Sequence, residues 1–379
     1  VTKSDATTVE GSWNLSNNDT VTMTDGTFEF SGYDGTTDEL TNGIINATGG
    51  TISVTDGQFS TTGSTISGVT LNNSGTIVGD AAVAVIDGSN SGSIGITETF
   101  TIGADSGTGS FSNTGLITAA TTIKEGYTLT TVGVNDDNTS GLNASVSNNG
   151  TLKVTGGTSD SYTRIGAGVT GSGTTHIGNG ENAAYISNNT TIGQNVEVSA
   201  QANFNNLADG SLTGDLTING NGTATNAGSL TNVSNGGVFN FQGGTVSGTY
   251  TQTSENTKTN VTNGATLSIL EGSSVTNGSV TLGDETTTGN LVINNGGATT
   301  TRLTTNGESN LSVIGGSTLE TTGGSAIGSG TAVAIGGSTA GTISVTGGSL
   351  VLSDNDTWNE NGTVNVSSGV LELAGDRKS

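Results

Sequence analysis

Cysteine and proline are both absent from the 379 residues of this chain. Without cysteine there is no disulfide framework and no thiolate metal site, and the chain is compatible with either redox compartment. Without proline any segment is free to form a central β-strand, because proline would remove a hydrogen bond from the strand ladder. Proline also collects in disordered linkers, so its absence favours an ordered chain.

Positive charge is scarce as well. Eight Lys and Arg stand against 32 Asp and Glu, which gives a net charge of −24. Nucleic acids and anionic membranes both attract basic patches, so this balance argues against either partner. No run approaches the roughly 18 apolar residues of a membrane-spanning helix. The first five residues lack an apolar export signal, so we expect any such signal to have been removed already.

What the chain does contain is a short motif that returns many times: a small residue, an aliphatic, a small polar residue and another aliphatic. Examples are residues 50–54, 150–154, 341–345 and 362–366. This alternation predicts strands with one apolar face, and frequent glycine excludes long helices. Repeats of such strands predict an all-β fold, a right-handed parallel β-helix, or β-solenoid. With 19 to 20 residues per coil, we expect about 19 coils in an elongated rod roughly 90 Å long.

The apolar content suits a thin core. Leu, Ile, Val and Phe make up about one residue in five, close to the limit below which a charged chain stays unfolded. No linker or shift in composition divides the chain, so we predict one domain over residues 1–379. Residues 1–30 would form an N-terminal cap, and residues 341–374 the most regular coils. Trp13 and Trp358 lie near the two ends, where we expect them to cover the terminal coils.

Asparagine, a small residue and glycine precede several predicted strands, at residues 73–75, 113–115, 148–150 and 226–228. The glycines are 40, 35 and 78 residues apart, close to two, two and four coils. We expect these positions to be equivalent corners, where glycine and asparagine tolerate left-handed or otherwise sparsely allowed backbone conformations. Asparagines at equivalent corners can also stack as a hydrogen-bonded ladder from coil to coil.

The last coils carry the clearest pattern, Gly-Thr-Ile/Val-x-Val followed by Leu-x-Leu, over residues 341–352 and 362–373. This pattern resembles the passenger repeats of bacterial type V autotransporters and haemagglutinin-like β-helical surface adhesins. The resemblance implies a right-handed parallel β-helix secreted to the outer membrane and displayed on the bacterial cell surface. No pattern of a C-terminal membrane β-barrel is found, so we expect either a cleaved or truncated passenger or a protein that is not an autotransporter.

Residues that could carry chemistry are few. His176 is the only histidine, and its surroundings predict an outward position beside an inward Ile177. Adjacent acids occur at residues 38–39, 136–137 and 284–285. Neighbouring residues of one strand point to opposite faces, so a glycosidase pair would need a partner from another coil. We therefore assign no catalytic, cofactor-binding or metal-binding residue.

Three other ligand chemistries leave weak traces. The tandem Gly-Gly-x-Gly-x-Asp repeat of calcium-binding β-rolls is absent from the sequence. The glycine- and aspartate-containing segment at residues 103–107 is therefore interpreted as a plain turn. Binding of calcium between acidic surface loops stays a hypothesis. Threonine-rich stretches at 20–24 and 299–301 are too irregularly spaced to predict a flat ice-binding face. Asn-x-Ser/Thr triplets are expected by chance in this composition, so they permit glycosylation without indicating it.

The sequence therefore predicts a non-enzymatic cell-surface adhesin. Its outward faces would attach to a host cell, a neighbouring cell or a second copy of the chain through many weak contacts. One alternative is a self-assembling subunit of an S-layer or an extracellular filament, favoured by the unpaired strand edges at the ends of a β-helix. A second is a β-helical enzyme acting on polysaccharides, which would require acids clustered in one cleft.

Overall fold

The structure is a computed structural model. It describes the backbone of residues 2–3, 7–9, 13–14, 20–23, 27–30, 37–41, 44–47, 51–54, 58–62, 65–294, 298–306, 308–328, 331–352, 356–358 and 361–373. Side chains are described for residues 51–54, 59, 65–294, 299–306, 308–328, 331–352, 356 and 361–373. The chain divides into two compact units, Val1–Asn195 and Val196–Ser379. The single domain expected over residues 1–379 stays a prediction.

The described residues of the first unit form twenty-six short strands. They are β1 (Thr2–Lys3), β2 (Thr7–Val9), β3 (Trp13–Asn14), β4 (Thr20–Met23), β5 (Thr27–Phe30), β6 (Thr37–Thr41), β7 (Ile44–Ala47), β8 (Thr51–Val54), β9 (Gln58–Thr62), β10 (Thr65–Asn73), β11 (Thr76–Gly79), β12 (Ala82–Asn90), β13 (Ser93–Ile96), β14 (Phe100–Ile102), β15 (Gly109–Asn113), β16 (Leu116–Ile117), β17 (Thr121–Ile123), β18 (Tyr127–Val132), β19 (Gly141–Leu142), β20 (Val146–Asn148), β21 (Thr151–Thr155), β22 (Thr163–Arg164), β23 (Val169–Thr170), β24 (Thr174–Ile177), β25 (Ala184–Asn188) and β26 (Thr191–Ile192).

The second unit continues in the same style, and β27 spans the division between the units. The remaining strands are β27 (Asn195–Val198), β28 (Ala202–Asn206), β29 (Ser211–Ile218), β30 (Thr223–Asn226), β31 (Ser229–Asn235), β32 (Val238–Phe241), β33 (Thr245–Val246), β34 (Tyr250–Gln252), β35 (Lys258–Val261), β36 (Thr266–Ile269), β37 (Ser274–Val275), β38 (Ser279–Leu282), β39 (Asn290–Ile293), β40 (Ala298–Thr305), β41 (Asn310–Val313), β42 (Ser317–Thr321), β43 (Ala326–Ile327), β44 (Ala332–Ile335), β45 (Gly341–Val345), β46 (Ser349–Leu352), β47 (Thr357–Trp358), β48 (Gly362–Val366) and β49 (Val370–Leu373).

Each unit is a parallel β-solenoid, as predicted. Strands pair with strands of the coils before and after them, and all these pairings are parallel, as in β15–β18–β21 and in β36–β39–β41–β44. The described residues contain no helix, and hence none long and apolar enough to cross a membrane. The all-β prediction is therefore confirmed.

The coils are fewer than expected. In the described residues, the two units together have about 14 turns rather than the predicted 19. One reason is that some coils are longer than 19 to 20 residues: paired residues of neighbouring coils are 23 positions apart between Thr128 and Thr151, and 24 apart between Thr266 and Asn290. Loops of different length leave the corners between strands, which a fixed repeat of 19 to 20 residues does not represent.

Alternation along each strand builds the core. In β21, Leu152 and Val154 are only 1% and 3% exposed, while the residues between and beside them stay partly accessible. The predicted strands at 341–345 and 362–366 are β45 and β48, within the segment expected to be most regular. Inward aliphatic side chains from successive coils thus stack into one thin apolar column within each unit.

Asparagine ladders run through the interior. Nδ2 of Asn73 donates to Oδ1 of Asn90 at 2.6 Å, and Nδ2 of Asn90 donates to Oδ1 of Asn113 at 2.7 Å. The ladder continues from Asn113 to Oγ1 of Thr131 at 2.9 Å. A second ladder joins Asn206 to Asn226 in the other unit at 2.8 Å. The predicted stacking of asparagines is therefore confirmed.

Two details of the corner prediction are wrong. Asn113 ends β15, whereas Asn148 ends β20, so these motifs occupy different corners of the coil. The glycines of the motif at 115, 150 and 228 do not have positive φ; a Cβ on each would overlap a carbonyl oxygen of the preceding coil. Close approach between backbones, rather than left-handed conformation, requires glycine there.

The predicted N-terminal cap and the predicted role of the two tryptophans concern side chains that the structure does not describe. Side chains of residues 1–30 and of Trp13 and Trp358 are outside the described residues. The backbone of Trp358 belongs to β47, which pairs with β44. The covering role of both tryptophans stays a prediction.

Candidate functional site

The described residues of the second unit form an open groove of about 910 Å³. Its floor is the outward side of β32, β35, β38 and the end of β40, which lie side by side in register. At about 4.8 Å per strand, four strands span about 14 Å. The lining residues are polar, apart from one glycine: Asn240, Gln242, Asn260, Thr262, Thr281, Gly283, Asp284, Glu285, Thr305 and Asn306.

In-register pairing explains why the floor is polar. Asn240, Asn260 and Thr281 occupy equivalent positions of three neighbouring strands, each flanked by buried residues that face the core. Nδ2 of Asn260 donates to Oδ1 of Asn240 at 2.8 Å, so the amides form an outward ladder. Oδ1 of Asn260 and the side-chain amide of Gln242 make no hydrogen bond with any described residue. Both amides therefore retain hydrogen-bonding capacity toward a ligand.

One wall of the groove is the loop of residues 283–289. Gly283 has φ +73°, and a Cβ there would lie 2.6 Å from the carbonyl oxygen of Asn306. A Cβ on Gly289, at the other end, would overlap the carbonyl oxygen of Val261. The amide of Asn263 in the preceding coil also donates to Oγ1 of Thr287 at 3.0 Å. The wall is thus fixed at both ends and braced in the middle.

Asp284 organises this loop. Its Oδ1 accepts from the amide of Thr287 at 2.7 Å, and from the amide and hydroxyl of Thr286 at 2.8 and 3.0 Å. Hydrogen bonds from the backbone of Thr286 and then Thr287 lower the pKa of the Asp284 carboxyl. A general acid of a glycosidase needs a raised pKa. Asp284 therefore stabilises the loop and contributes negative charge to the rim of the groove, and it is poorly suited to donate a proton.

The acidic pair at 136–137 does not line this groove. Asp136 and Asp137 are exposed in a loop of the first unit, where Asn135 bonds to Thr139 through both its side-chain oxygen and nitrogen. Asp136 and Asp137 therefore lie in a solvated loop. Residues 38–39 belong to β6, and their side chains lie outside the described residues.

His176 takes the predicted place. It is half-buried in β24, between buried Thr175 and buried Ile177, and pairs in register with Lys153 of the preceding coil. In the predicted turn at 103–107, Asp105 accepts a salt bridge from Nζ of Lys124 at 3.3 Å. In the part of the chain that the structure describes, no three residues of the types His, Cys, Asp and Glu are grouped as metal ligands would be.

The threonine stretch at 299–301 does not make a flat surface array. Thr299 and Thr301 are 2% and 1% exposed, so only Thr300 faces outward. Its in-register successors on the next coils are Glu320 and Ser344. The mixed row agrees with the prediction that these threonines form no regular face.

Sequence reasoning missed the groove because it searched for charged and aromatic groups. A usable signal exists: Asn240 and Asn260 are 20 residues apart, each between two residues that face the core. Aligning coils on their buried residues would have revealed a polar outward row. No protein-family model, curated protein or solved structure matches this chain, so its fold and this geometry are what a functional argument can use.

Proposed function

We propose that the chain is a non-enzymatic surface adhesin of the passenger type, which holds an uncharged, hydroxyl-rich polymer such as a neutral glycan in the groove of its second unit. The observation that carries the proposal is the row of amides and hydroxyls on four in-register strands. Amides and hydroxyls exchange hydrogen bonds with water and with sugar hydroxyls alike, so single contacts are weak and repetition supplies strength.

Charge supports a neutral ligand. Asp284 and Glu285 are exposed at the wall of the groove, and the whole chain carries a net charge of −24. Anionic polymers would be repelled from such a surface. Both carboxylates of the groove lie on the same loop, which supports binding rather than glycoside hydrolysis, because hydrolysis needs acids on both sides of the scissile bond.

The experiment measures binding of neutral cello-, xylo- and manno-oligosaccharides to the purified chain by calorimetry and glycan array. We expect Asn260→Ala to weaken binding about 5- to 10-fold, the effect of one lost hydrogen-bonding side chain. Asn310→Ala is the matched control, because Asn310 donates to Asn290 at 2.6 Å in an equivalent ladder outside the groove. Absence of binding to every neutral glycan, or equal losses in both variants, would refute the proposal.

Self-assembly into a surface lattice or filament is the second candidate, and one observation favours it. Within the described residues, β48 and β49 pair on one side only, with β45 and β46. Val366, Val370 and Leu373 on these strands are 44%, 59% and 49% exposed. An unpaired edge with exposed apolar side chains is a surface on which another chain can add a strand.

A further inference from the structure

Exposed aromatic side chains are confined to one place in the described structure. Tyr162 and Tyr185 are both partly exposed, and every other aromatic side chain that the structure describes is buried: Phe59, Phe100, Phe111, Tyr127, Phe204, Phe239, Phe241 and Tyr250. The two rings contact each other edge to face, with centroids 5.5 Å apart and planes at 79°. An edge-to-face pair leaves one ring face available for the C–H groups of a sugar ring.

Register places an arginine beside this pair. Thr163 and Arg164 of β22 pair with Ile186 and Ser187 of β25, so Tyr162 and Tyr185 are neighbours on adjacent coils. Alternation then puts Arg164 two positions from Tyr162 on the same outward side. The three side chains therefore form one patch of the first unit, which we call the tyrosine–arginine patch (Tyr162, Arg164 and Tyr185).

The guanidinium of Arg164 retains hydrogen-bonding capacity. Its Nη2 donates to Oδ1 of Asn138, and in the described structure no carboxylate lies within 4.0 Å of it. Asp160 and Glu181 are the acids nearest to Arg164 in sequence, and Asp136–Asp137 precede its partner Asn138; all of them are exposed, and none forms an ion pair with Arg164. Four of its five N–H donors are thus left for a carboxylate, which guanidinium binds in a bidentate fashion.

The patch is held in place before any ligand arrives. The loop that carries Tyr162 turns at Gly156 and Gly157, with φ +92° and +74°. The amide of Tyr185 donates to the carbonyl of Gly156 at 2.8 Å, and a Cβ on Gly157 would overlap the carbonyl oxygen of Tyr185. The loop therefore fits against the next coil only with glycine there. Such preorganisation reduces the entropy lost on binding.

We propose that the tyrosine–arginine patch binds a carboxylated sugar, with the pyranose ring on the tyrosine pair and the carboxylate on Arg164. This patch is independent of the groove in the second unit: its ligand is anionic, whereas that of the groove is neutral. The chain has only eight Lys and Arg against 32 Asp and Glu. Because the Arg164 guanidinium has no carboxylate partner in the described structure, it attracts a negatively charged ligand.

Calorimetry and saturation-transfer NMR with the methyl glycosides of glucuronic acid and N-acetylneuraminic acid test the proposal. We expect millimolar or tighter binding of at least one sugar acid, which identifies the uronic or the sialic class. The uncharged methyl ester of that sugar should bind at least about 10-fold more weakly, since it loses the charge-assisted pair. Absence of binding by both acids, or equal binding of acid and ester, would overturn the proposal.

Substitutions distinguish specific binding at the tyrosine–arginine patch from a general effect of the charge of the chain. Arg164→Ala should weaken binding of the acid at least about 10-fold, and Arg164→Lys should restore it only in part because lysine lacks the bidentate fork. Tyr185→Phe should keep binding, since the ring remains. Lys124→Ala is the matched control, because it removes one positive charge from the same unit. Equal losses in Arg164→Ala and Lys124→Ala, with unchanged circular dichroism, would contradict a specific patch.

Discussion

At the scale of single residues, the interior of the second unit contains a polar cluster around Tyr250. This tyrosine is fully buried, and its ring stacks on Phe239 with centroids 5.7 Å apart. Its hydroxyl contacts Oε1 of Gln252 at 3.1 Å, Nδ2 of Asn235 at 3.1 Å and Oγ1 of Thr259. Burial raises the pKa of Tyr250 from 10.0 to about 12, although the hydrogen bonds of Thr259 and Asn235 act in the opposite direction.

Alkaline pH should therefore weaken the fold through this residue. The folded state keeps a phenol proton that the unfolded chain releases near pH 10, so the contribution of Tyr250 is complete below pH 10 and is lost as pH rises toward 12. Tyr250→Phe should lower the free energy of unfolding at pH 7 by about 1–3 kcal/mol, because buried partners lose a hydrogen bond. It should also reduce the loss of stability between pH 10 and pH 12. Urea unfolding at several pH values measures both effects.

Tyr185→Phe serves as the control for this prediction, because its hydroxyl belongs to a partly exposed side chain. It should leave the stability at pH 7 within about 0.5 kcal/mol of the unsubstituted protein. A Tyr250→Phe variant as stable as that control, with the same alkaline transition, would show that the buried hydroxyl contributes nothing.

The asparagines show what a sequence can predict at this scale. Stacking was predictable, because an amide repeated at coil spacing has both a donor and an acceptor to offer its neighbours. The corner that each asparagine occupies was not predictable, because Asn113 and Asn148 belong to the same local motif but end strands on different faces of the coil. Gly115 shows the same limit: its role depends on the carbonyl of Gly92, which only the folded coil brings close.

At the scale of elements, the loop at 283–289 has the greatest influence on the candidate groove. Its first residue, Gly283, combines φ +73° with a clash between an added Cβ and the backbone of Asn306 at 2.6 Å. Gly283→Ala should lower the free energy of unfolding by about 1–3 kcal/mol, because strain and overlap add. It should also weaken binding of a neutral glycan, because the wall carrying Asp284 must shift. Thermal unfolding and calorimetry check the two effects.

Gly323→Ala is a suitable comparison for that variant. Gly323 lies in a turn of the same unit, its φ is not positive, and a Cβ there would meet nothing within 4 Å. It should be neutral or slightly stabilising, since alanine restricts the unfolded chain. If both variants were equally stable and bound glycan equally well, the loop would not depend on glycine at its first residue.

Strands were the most predictable elements, and loops the least. Alternating residues at 150–154 located β21 to within one residue, because inward and outward positions differ in polarity whatever the neighbouring coil contains. The loop at 283–289 carries no such pattern. Its conformation depends on contacts such as that of Asn263 with Thr287 across coils. The candidate groove, which needs this loop and four stacked strands, was therefore not predicted.

At the scale of the whole molecule, charge controls whether copies of the chain meet. The net charge is −24, because 32 Asp and Glu stand against eight Lys and Arg, and among the described residues Lys124 forms an ion pair with Asp105. Most carboxylates are thus uncompensated, and identical surfaces repel each other at neutral pH. Salt screens this repulsion beyond about 10 Å at 0.1 M ionic strength. The exposed edge at β48 and β49 would act in the opposite direction, by strand addition.

Light scattering at several salt concentrations and pH values shows whether repulsion between copies or strand addition prevails. We expect a monomer of 37.2 kDa at pH 7 from about 0.01 to 0.5 M NaCl, with or without calcium, and association only near the isoelectric point of about 4.1. That result would support display of the chain toward a foreign ligand. Mass that grows with protein concentration at pH 7 would instead support the lattice or filament.

In that second case, the edge itself can be tested. Val370→Asp replaces a side chain that is 59% exposed with one that adds negative charge, so it should abolish assembly through β49. Thr318→Asp adds the same charge at an exposed position of the same unit and should leave assembly unchanged if strand addition is responsible. Equal loss in both variants would show that net charge, rather than the strand edge, controls association.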